Sequence, residues 1–321
     1  MATDTSVATN RPVVCARATV TSVEQLSPHF RRICVAGREL AGFSARLVGQ
    51  GGATTCSDAY IKLLIPPHGA APTRPDMSGG YRAWFAQPQE ERGFLRTYTA
   101  RSIQWVPWNG ETVPELTVDF VLHPETQGPG GRWAEEASPG DTAFIVGPGP
   151  GEPAWTSWGP GRARRIVAVG DETAVPALLS IMEELDGHNT ADRVDVIMEV
   201  PTRADVLTSN SCDGMIVHAL PRSESGANGA GSVRTLAHIL DLPMFCVADV
   251  LAGRRPERAV EPPAEHLWEV ADPGADRDTY VFLAGEAANV KAWRRLCVDG
   301  AGIPKENVSF MGYWRRGHAE S

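Results

Sequence analysis

The sequence contains few cysteines, no long apolar run and no cluster of basic residues. Six cysteines are spread over 321 residues without a C-x-x-C pair, which argues against zinc sites, iron–sulfur clusters and a disulfide framework. No stretch reaches the length of a membrane span. The 30 Lys and Arg residues are dispersed in a chain of net charge -9, which argues against a nucleic-acid partner.

The amino-terminal segment also lacks the features of an export signal. Residues 1–12 are rich in Ala, Thr and Ser and contain no apolar core. We therefore expect a cytoplasmic protein with reduced cysteines and no membrane partner. The length and the 42% hydrophobic content allow two domains, each with its own core. The sequence does not indicate an oligomeric state.

Residues 13–150 are predicted to form an antiparallel β-barrel domain. Their short apolar segments are separated by turn-forming residues, and the alternation of apolar and polar residues is clearest in Leu116–His123. Several short strands with regular turns are typical of a barrel or sandwich. The other predicted strands are 16–23, 30–35, 60–65, 96–103 and 142–146, and the segments 47–57 and 68–80 are predicted loops.

Residues 160–321 are predicted to form an α/β domain with a parallel sheet. After the Gly- and Pro-rich segment 147–151, wholly apolar strands alternate with helices. Such strands predict a sheet covered on both faces, which binds ligands beyond the carboxyl ends of its strands. No role is predicted for residues 252–278, a charged segment expected to lie partly at the surface. The predicted strands are 166–169, 194–200, 215–219, 280–284 and 308–313, and the predicted helices are 172–185, 233–240 and one that carries Val290, Trp293 and Leu296.

One strand combines a cation, an aromatic ring and hydroxyl groups. In the segment Arg96–Arg101, RTYTAR, strand alternation places Arg96 and Tyr98 on the same face. An aromatic ring can stack on the isoalloxazine of a flavin, and a guanidinium can bind phosphate with two hydrogen bonds. Taken alone, the six residues fit an exposed strand with one core tyrosine equally well.

Together with later segments, this hexapeptide resembles the siderophore-interacting protein family of the ferredoxin-reductase superfamily. R-x-Y-T-x-R is the flavin signature of that superfamily. The resemblance covers most of the chain and implies FAD, a nicotinamide donor (NADH or NADPH) and the reduction of a ferric siderophore with release of Fe(II). The segments that follow in the family's order are 119–123, 128–134, 140–141, 147–148, 170–174, 284–286 and 312–315.

The resemblance assigns FAD binding to the barrel. Arg96 is expected to contact phosphate, Tyr98 to pack against the isoalloxazine and Thr99 to lie near its N5 and O4 edge. The pyrophosphate is expected at the start of a short helix over 132–137, where backbone N–H groups and the helix dipole favour an anion. The flavin carries the chemistry, so no catalytic side chain is expected. The other expected contacts are Thr97, Asp119, Val121, His123, Gly128, Gly130, Gly131, Arg132 and Trp133.

One position departs from the family. The family usually has Ala-Ser where this chain has Gly130 and Gly131, so a serine hydroxyl that could cap the helix and bind phosphate is missing. Glycine is tolerated as a cap but contributes no side-chain contact. We therefore expect FAD to be held less tightly.

The resemblance places the nicotinamide site in the second domain. Asp171, Glu172 and Thr173 follow its first strand, and two carboxylates at a helix start would repel a pyrophosphate. Their expected role is hydrogen bonding to ribose or carboxamide groups, and the alternative is favourable charge at a helix start. Glu199 could bind a ribose hydroxyl or be exposed, and Arg203 could bind a 2′-phosphate, which leaves NADH and NADPH open. The other expected contacts are Ala174, Gly285, Glu286 and Trp314.

The sequence carries less information about the substrate than about the cofactors. Reduction of Fe(III) to softer Fe(II) weakens its binding to hard oxygen ligands. Candidate cations for an anionic ferric siderophore are Lys62, Arg132 and Arg316, each of which could equally be an ordinary surface charge. Two alternatives stay open: flavin- and oxygen-dependent oxidation of a small molecule in a biosynthetic pathway, and a non-catalytic ferric-siderophore carrier. A carrier has no need of a nicotinamide site, which favours an enzyme.

Overall fold

The structure contains two sheets, one antiparallel and one mainly parallel. It is a computed structural model that describes residues 13–49, 54–76, 80–123, 128–188, 191–209, 213–252, 267–272 and 277–317. The antiparallel sheet is barrel-like and precedes the parallel sheet in the chain. This arrangement confirms the predicted fold class.

The first sheet has the strand order β3-β6-β7-β2-β1-β8-β4-β5, and all neighbouring strands run antiparallel. Leu116, Val118, Phe120 and Leu122 of the predicted alternating segment are all buried in its core. The strands are β1 (Val13–Gln25), β2 (Phe30–Ala36), β3 (Thr54–Thr55), β4 (Tyr60–Ile65), β5 (Phe94–Thr99), β6 (Ser102–Trp108), β7 (Glu111–Val121) and β8 (Thr142–Pro148). The helices are α1 (Ala45–Val48), α2 (Gly80–Phe85), α3 (Gln89–Arg92) and α4 (Pro129–Glu136).

Two predictions for this half need correction. The single strand predicted over 96–103 is two strands, because Ala100 and Arg101 leave the ladder to donate to the carbonyls of Ala59 and Thr117. The predicted loop 47–57 contains part of α1 and all of β3. Of the predicted loop 68–80, the residues 77–79 lie outside the described part of the chain.

The second sheet has the order β11-β10-β9-β13-β14-β12, and only its edge strand β12 runs antiparallel to its neighbour. Its strands are β9 (Arg165–Gly170), β10 (Arg193–Val200), β11 (Met215–Pro221), β12 (Trp268–Glu269), β13 (Thr279–Glu286) and β14 (Val308–Trp314). Its helices are α5 (Val175–His188), α6 (Arg222–Ser225), α7 (Ala230–Ile239), α8 (Met244–Leu251) and α9 (Ala287–Arg295).

Helices cover both faces of this sheet, which explains its wholly apolar strands. Ile166 and Ala168 of β9 pack with α5, whereas Val167 and Val169 face the side of α7 and α9. The helix predicted over 172–185 begins later, at Val175, because the preceding residues form a turn that holds Asp171. Of the segment 252–278, the described residues include β12, and 253–266 and 273–276 lie outside the described part.

A buried carboxylate joins the two domains. Asp205 of the second domain is fully buried and accepts hydrogen bonds from Ser27 Oγ (2.7 Å), the His29 backbone N–H (3.0 Å) and His29 Nδ1 (2.9 Å). Burial opposes its ionisation, but these bonds and that of Thr202 outweigh it and lower the pKa of Asp205. The barrel and the α/β domain are therefore fixed against each other at this point.

Arg101 makes a second connection between the domains. It is 7% exposed, and its guanidinium forms a two-pronged ion pair with Glu183 of α5, with one N–O distance of 2.7 Å. Its carbonyl accepts from Ser180 Oγ at 2.6 Å. The last residue of the RTYTAR segment therefore holds α5 against the barrel.

The segment that connects the two domains is hydrogen-bonded to Asp58. This carboxylate is 1% exposed and accepts from the backbone N–H groups of Ser157 (2.9 Å) and Trp158 (3.0 Å), as well as from two hydroxyls. Gly159 donates to the Tyr280 hydroxyl at 3.1 Å.

Among the described helices, none is both long enough and apolar enough to cross a bilayer.

We expect Asp58→Ala to lower the free energy of unfolding by about 3 kcal/mol, because it removes the acceptor of the buried Ser157 N–H and of the Thr156 and Ser157 hydroxyls. Asp141→Ala is a matched control, since Asp141 also accepts a backbone N–H, from Ser138, but is exposed; its cost should stay below about 1 kcal/mol. Urea denaturation followed by tryptophan fluorescence measures both. Equal losses would contradict the fastening role of Asp58.

Candidate active site

A cleft between the two domains has a volume of about 320 Å³, within the range of ligand sites. The barrel contributes one wall from β5, β7 and the start of α4, and the second domain contributes Thr173, Pro176 and the end of β14. The lining residues are Tyr60, Arg96, Thr97, Tyr98, Thr99, Asp119, Val121, His123, Gly128, Pro129, Gly130, Gly131, Thr173, Pro176, Met311, Gly312 and Tyr313. Most of the residues predicted for the flavin site are thus brought together.

Tyr98 is positioned by its neighbours on the barrel wall. Its ring lies 4.4 Å from that of Phe120, centroid to centroid. Its hydroxyl lies so close to Gly130 that a Cβ on this residue would come within 1.9 Å of the oxygen. With Tyr98 placed in this way, an alanine at position 130 would force the hydroxyl end of Tyr98 to shift.

The start of α4 offers backbone N–H groups to the cleft. Gly128 is the N-cap, and Pro129 occupies the first turn, so the helix begins earlier than the predicted residue 132. The first N–H groups of a helix have no partner within the helix, and here they belong to Gly130 and Gly131. No atom lies within 4 Å of where a Cβ on Gly131 would stand. This end of the cleft is suited to an anion.

Arg96 supplies a cation to the same wall. Its guanidinium lies 5.1 Å from the centre of the Phe94 ring and donates to the Leu95 carbonyl at 3.1 Å. On the neighbouring strand, Lys62 donates to Thr97 Oγ1 at 2.8 Å. Together with the helix start, Arg96 makes this wall favourable for phosphate.

Two predicted contacts on α4 do not line the cleft. Trp133 packs on Phe120, with 5.5 Å between ring centroids, and so supports the ring that supports Tyr98. Arg132 is exposed and lies outside the lining. The candidate substrate cations Lys62 and Arg316 are also absent from the lining.

Asp119 lies on β7 and His123 follows the end of that strand, and both line the cleft. The Asp119 carboxylate forms a two-pronged ion pair with Arg32 of the adjacent strand, at 2.7 and 2.8 Å. Its acceptors are therefore directed to β2. The His123 ring lies 6.3 Å from that of Trp314, and burial lowers the pKa of His123, so this side chain is neutral at physiological pH.

Tyr313 and Thr99 connect the two walls. They form a side-chain hydrogen bond, and burial raises the pKa of Tyr313. Tyr60 completes this part of the lining, with its ring 5.6 Å from that of Trp155. Neither tyrosine was predicted as a site residue; the only signal was the position of Tyr313 inside the segment 312–315.

Asp171 lies behind the second wall rather than in it. It is fully buried and accepts from Thr173, from the Glu286 N–H (2.7 Å) and from Trp314 Nε1 (2.9 Å). Gly285 leaves the space, since a Cβ there would lie 2.7 Å from the Asp171 Cγ. Burial and the nearby Glu172 raise the pKa of Asp171 to about 7. One carboxylate therefore holds together the three segments predicted for the nicotinamide site.

The other acidic residues expected at this site also have protein partners. Glu172 is 1% exposed and forms a two-pronged ion pair with Arg222, which the sequence analysis did not identify. Glu199 is fully buried and caps α7, so it is neither exposed nor available to a ribose hydroxyl. Ala174 is buried in the core of α5, and Glu286 caps α9.

Two family models match the chain. The siderophore-interacting FAD-binding domain matches residues 19–152, and the siderophore-interacting protein model matches residues 163–317. The chain belongs to the siderophore-interacting protein family. Its resemblance through short segments is thereby confirmed over both halves.

Curated relatives span nearly the whole chain. Ferric vibriobactin reductase ViuB of Vibrio cholerae serotype O1 is 25% identical over 296 residues, 92% of this chain and 87% of that protein. The NADPH-dependent ferric-chelate reductase of Escherichia coli is 27% identical over 301 residues, 92% of this chain and 91% of that protein. A siderophore utilization protein from T. fusca has a similar fold, with a TM-score of 0.63, 24% identity and coverage of 96% and 95%.

The residues present fit the FAD that the family model implies. Arg96 and the free backbone N–H groups of α4 suit its phosphates. The half-buried Tyr98 offers an aromatic surface inside a cleft of suitable size. The glycines at positions 128 and 131 leave the approach to the helix start open.

We expect Gly130→Ala to weaken FAD binding by roughly tenfold or more, because the added methyl group displaces Tyr98 and overpacked sites cost about 1–3 kcal/mol. Gly159→Ala is a control outside the cleft, since nothing lies within 4 Å of its added Cβ. Titration of the apoprotein with FAD, followed by quenching of flavin fluorescence, measures both affinities. Equal affinities in the two variants would contradict the proposed dependence on Tyr98.

Proposed function

We propose that this protein is an FAD-dependent oxidoreductase that moves electrons from NADH or NADPH to a ferric siderophore and releases Fe(II). The observation that carries the proposal is the cleft itself. The flavin segment Arg96–Thr99 forms one of its walls, and the strand ends of a parallel α/β sheet form the other. A ring bound between them is accessible to a nucleotide on the α/β side, where such sheets bind ligands.

The barrel residues would hold and orient FAD. Arg96 and the start of α4 bind its phosphates, while Tyr98 and Thr99 border the ring. The bound FAD would supply the redox chemistry, in which a hydride is received from a reduced nicotinamide and electrons are released singly. The side chains of Thr99 and Tyr313 interact across the cleft and so contribute to the positioning that hydride transfer requires.

The second domain would orient the nicotinamide. Thr173, Pro176 and Met311–Tyr313 face the cleft, and Asp171 fixes Thr173 from behind through two hydrogen bonds. Because Asp171 and Glu172 are occupied by protein donors, the contacts to the nicotinamide come from neutral groups. Support for a ferric acceptor comes from the relatives, which include a ferric vibriobactin reductase and a ferric-chelate reductase.

One observation favours a second candidate function. Among the described residues that line the cleft, Arg96 alone is positively charged at neutral pH, whereas an anionic ferric siderophore is best bound by several cations. Most of the other lining residues are neutral, and three of them are tyrosines. This favours flavin- and oxygen-dependent oxidation of a neutral organic molecule as the alternative.

An anaerobic spectrum of the purified protein tests the proposal. NADH or NADPH should bleach the flavin absorption at about 450 nm, a band that belongs to the cofactor. Subsequent addition of ferric hydroxamate or catecholate complexes should restore this absorption, with Fe(II) captured by a colorimetric chelator.

Arg96→Ala should lower flavin occupancy of the purified protein.

The outcomes separate the candidates. Bleaching that reverses only on admission of oxygen would contradict the ferric acceptor and favour the organic oxidation. Failure of both nucleotides to bleach bound flavin would contradict an oxidoreductase and favour a carrier. Full flavin occupancy in Arg96→Ala would contradict the assigned phosphate contact.

A further inference from the structure

The carboxyl-end edge of the second sheet contains helix starts and arginines that would attract phosphate. The first of these is the start of α7, where a helix dipole and free N–H groups favour an anion. In this protein, the carboxylate of Glu199 already occupies the start of α7. Glu199 accepts from the Gly229 N–H (2.6 Å), the Ser232 N–H (3.2 Å) and the Ser232 hydroxyl (2.8 Å). Since Glu199 is fully buried, an external phosphate cannot replace it without unfavourable desolvation.

The start of α9 and the Arg222 guanidinium are occupied in the same manner. Glu286 accepts from the N–H groups of Ala288 (2.7 Å) and Asn289 (3.1 Å). Arg222, at the end of β11, is committed to Glu172 through both of its terminal nitrogens. The Glu172 side chain is 2% exposed, so this pair is also protected from competing anions.

Arg203 is an exposed cation at this edge, and it lies where a 2′-phosphate would be recognised. It follows the end of β10 by three residues, the region in which a doubly wound domain contacts the adenosine ribose. Its guanidinium is bound by both oxygens of Glu224, with an Nε–Oε1 distance of 2.8 Å. The two side chains are 77% and 46% exposed, so a solvent-borne phosphate can reach this pair.

The charges at this edge disfavour a further anion. At the ends of β9, β10 and β11, the guanidinium groups of Arg203 and Arg222 are each already paired with a carboxylate, that of Glu224 and that of Glu172. A 2′-phosphate would have to displace Glu224 from Arg203 and would then be repelled by the released carboxylate. A ribose hydroxyl meets neither penalty.

We propose that this protein uses NADH in preference to NADPH and that Glu224 determines the preference by holding Arg203. The proposal rests on the proposed function, because it assumes that a dinucleotide binds at the carboxyl ends of β9, β10 and β11. Glu224 is a specificity-determining residue in this account and touches neither the flavin nor the nicotinamide.

The test compares direct binding of NAD⁺ and NADP⁺ to the flavin-loaded protein by isothermal titration calorimetry, with the rates of anaerobic flavin bleaching by NADH and NADPH measured in parallel. The wild type should bind NAD⁺ more tightly than NADP⁺. Glu224→Gln should raise the affinity for NADP⁺ roughly tenfold, as expected when a repulsive charge is removed beside a free arginine, and should leave the affinity for NAD⁺ within about twofold.

Two controls identify the cause. Glu111→Gln releases Arg38 from an ion pair in the barrel whose side chains are 78% and 48% exposed, nearly the same as in the Arg203 pair, and it should change neither affinity. The double variant Arg203→Ala with Glu224→Gln should lose the gain for NADP⁺. Tighter binding of NADP⁺ by the wild type, or a gain that survives the loss of Arg203, would overturn the proposal.

The result also separates this inference from the proposed function. Selective binding of NAD⁺, reversed by Glu224→Gln but without bleaching of the flavin, would support the inference and contradict the proposed reaction. Binding of neither nucleotide would overturn both. Bleaching by NADPH as fast as by NADH, with equal affinities, would overturn the inference alone.

Discussion

Asp205 is buried completely between the two domains and accepts hydrogen bonds from Ser27 and His29 of the barrel. A carboxylate that loses its hydration is stable only when its donors are in place, so this contact permits one relative position of the domains. Arg101 and Glu183 impose the same condition at α5. The cleft exists because these contacts hold the barrel wall and the strand ends within hydrogen-bond distance, as the pair of Thr99 and Tyr313 shows.

Buried carboxylates that need hydrogen-bond donors also hold the interior of the second domain together. Asp171 joins the turn after β9 to the ends of β13 and β14, while Glu199 and Glu286 cap two helices. The carboxylates that looked available for a nucleotide are therefore structural. The two walls of the cleft differ accordingly: the barrel wall carries Arg96 and the start of α4, and the α/β wall presents neutral groups.

The fold could be predicted because its signals are local. Alternating residues in Leu116–Leu122 and the wholly apolar Ile166–Val169 report how many faces of each strand are covered. The flavin wall was predicted from contiguous segments. The partners of Glu199 and Asp171 could not be, because they come from residues distant in sequence. Tyr60 and Arg222 were missed for the same reason: a single tyrosine or arginine carries no pattern until the chain folds.

The account depends on a flavin ring held between the two walls of one cleft. A crystal structure of the protein with FAD bound measures this directly. The account predicts the pyrophosphate at the start of α4, near Arg96, and the isoalloxazine in contact with Tyr98 and Thr99 on one wall and within reach of Thr173 and Tyr313 on the other. An isoalloxazine outside the interdomain cleft, or a pyrophosphate bound at α5, α7 or α9, would contradict it.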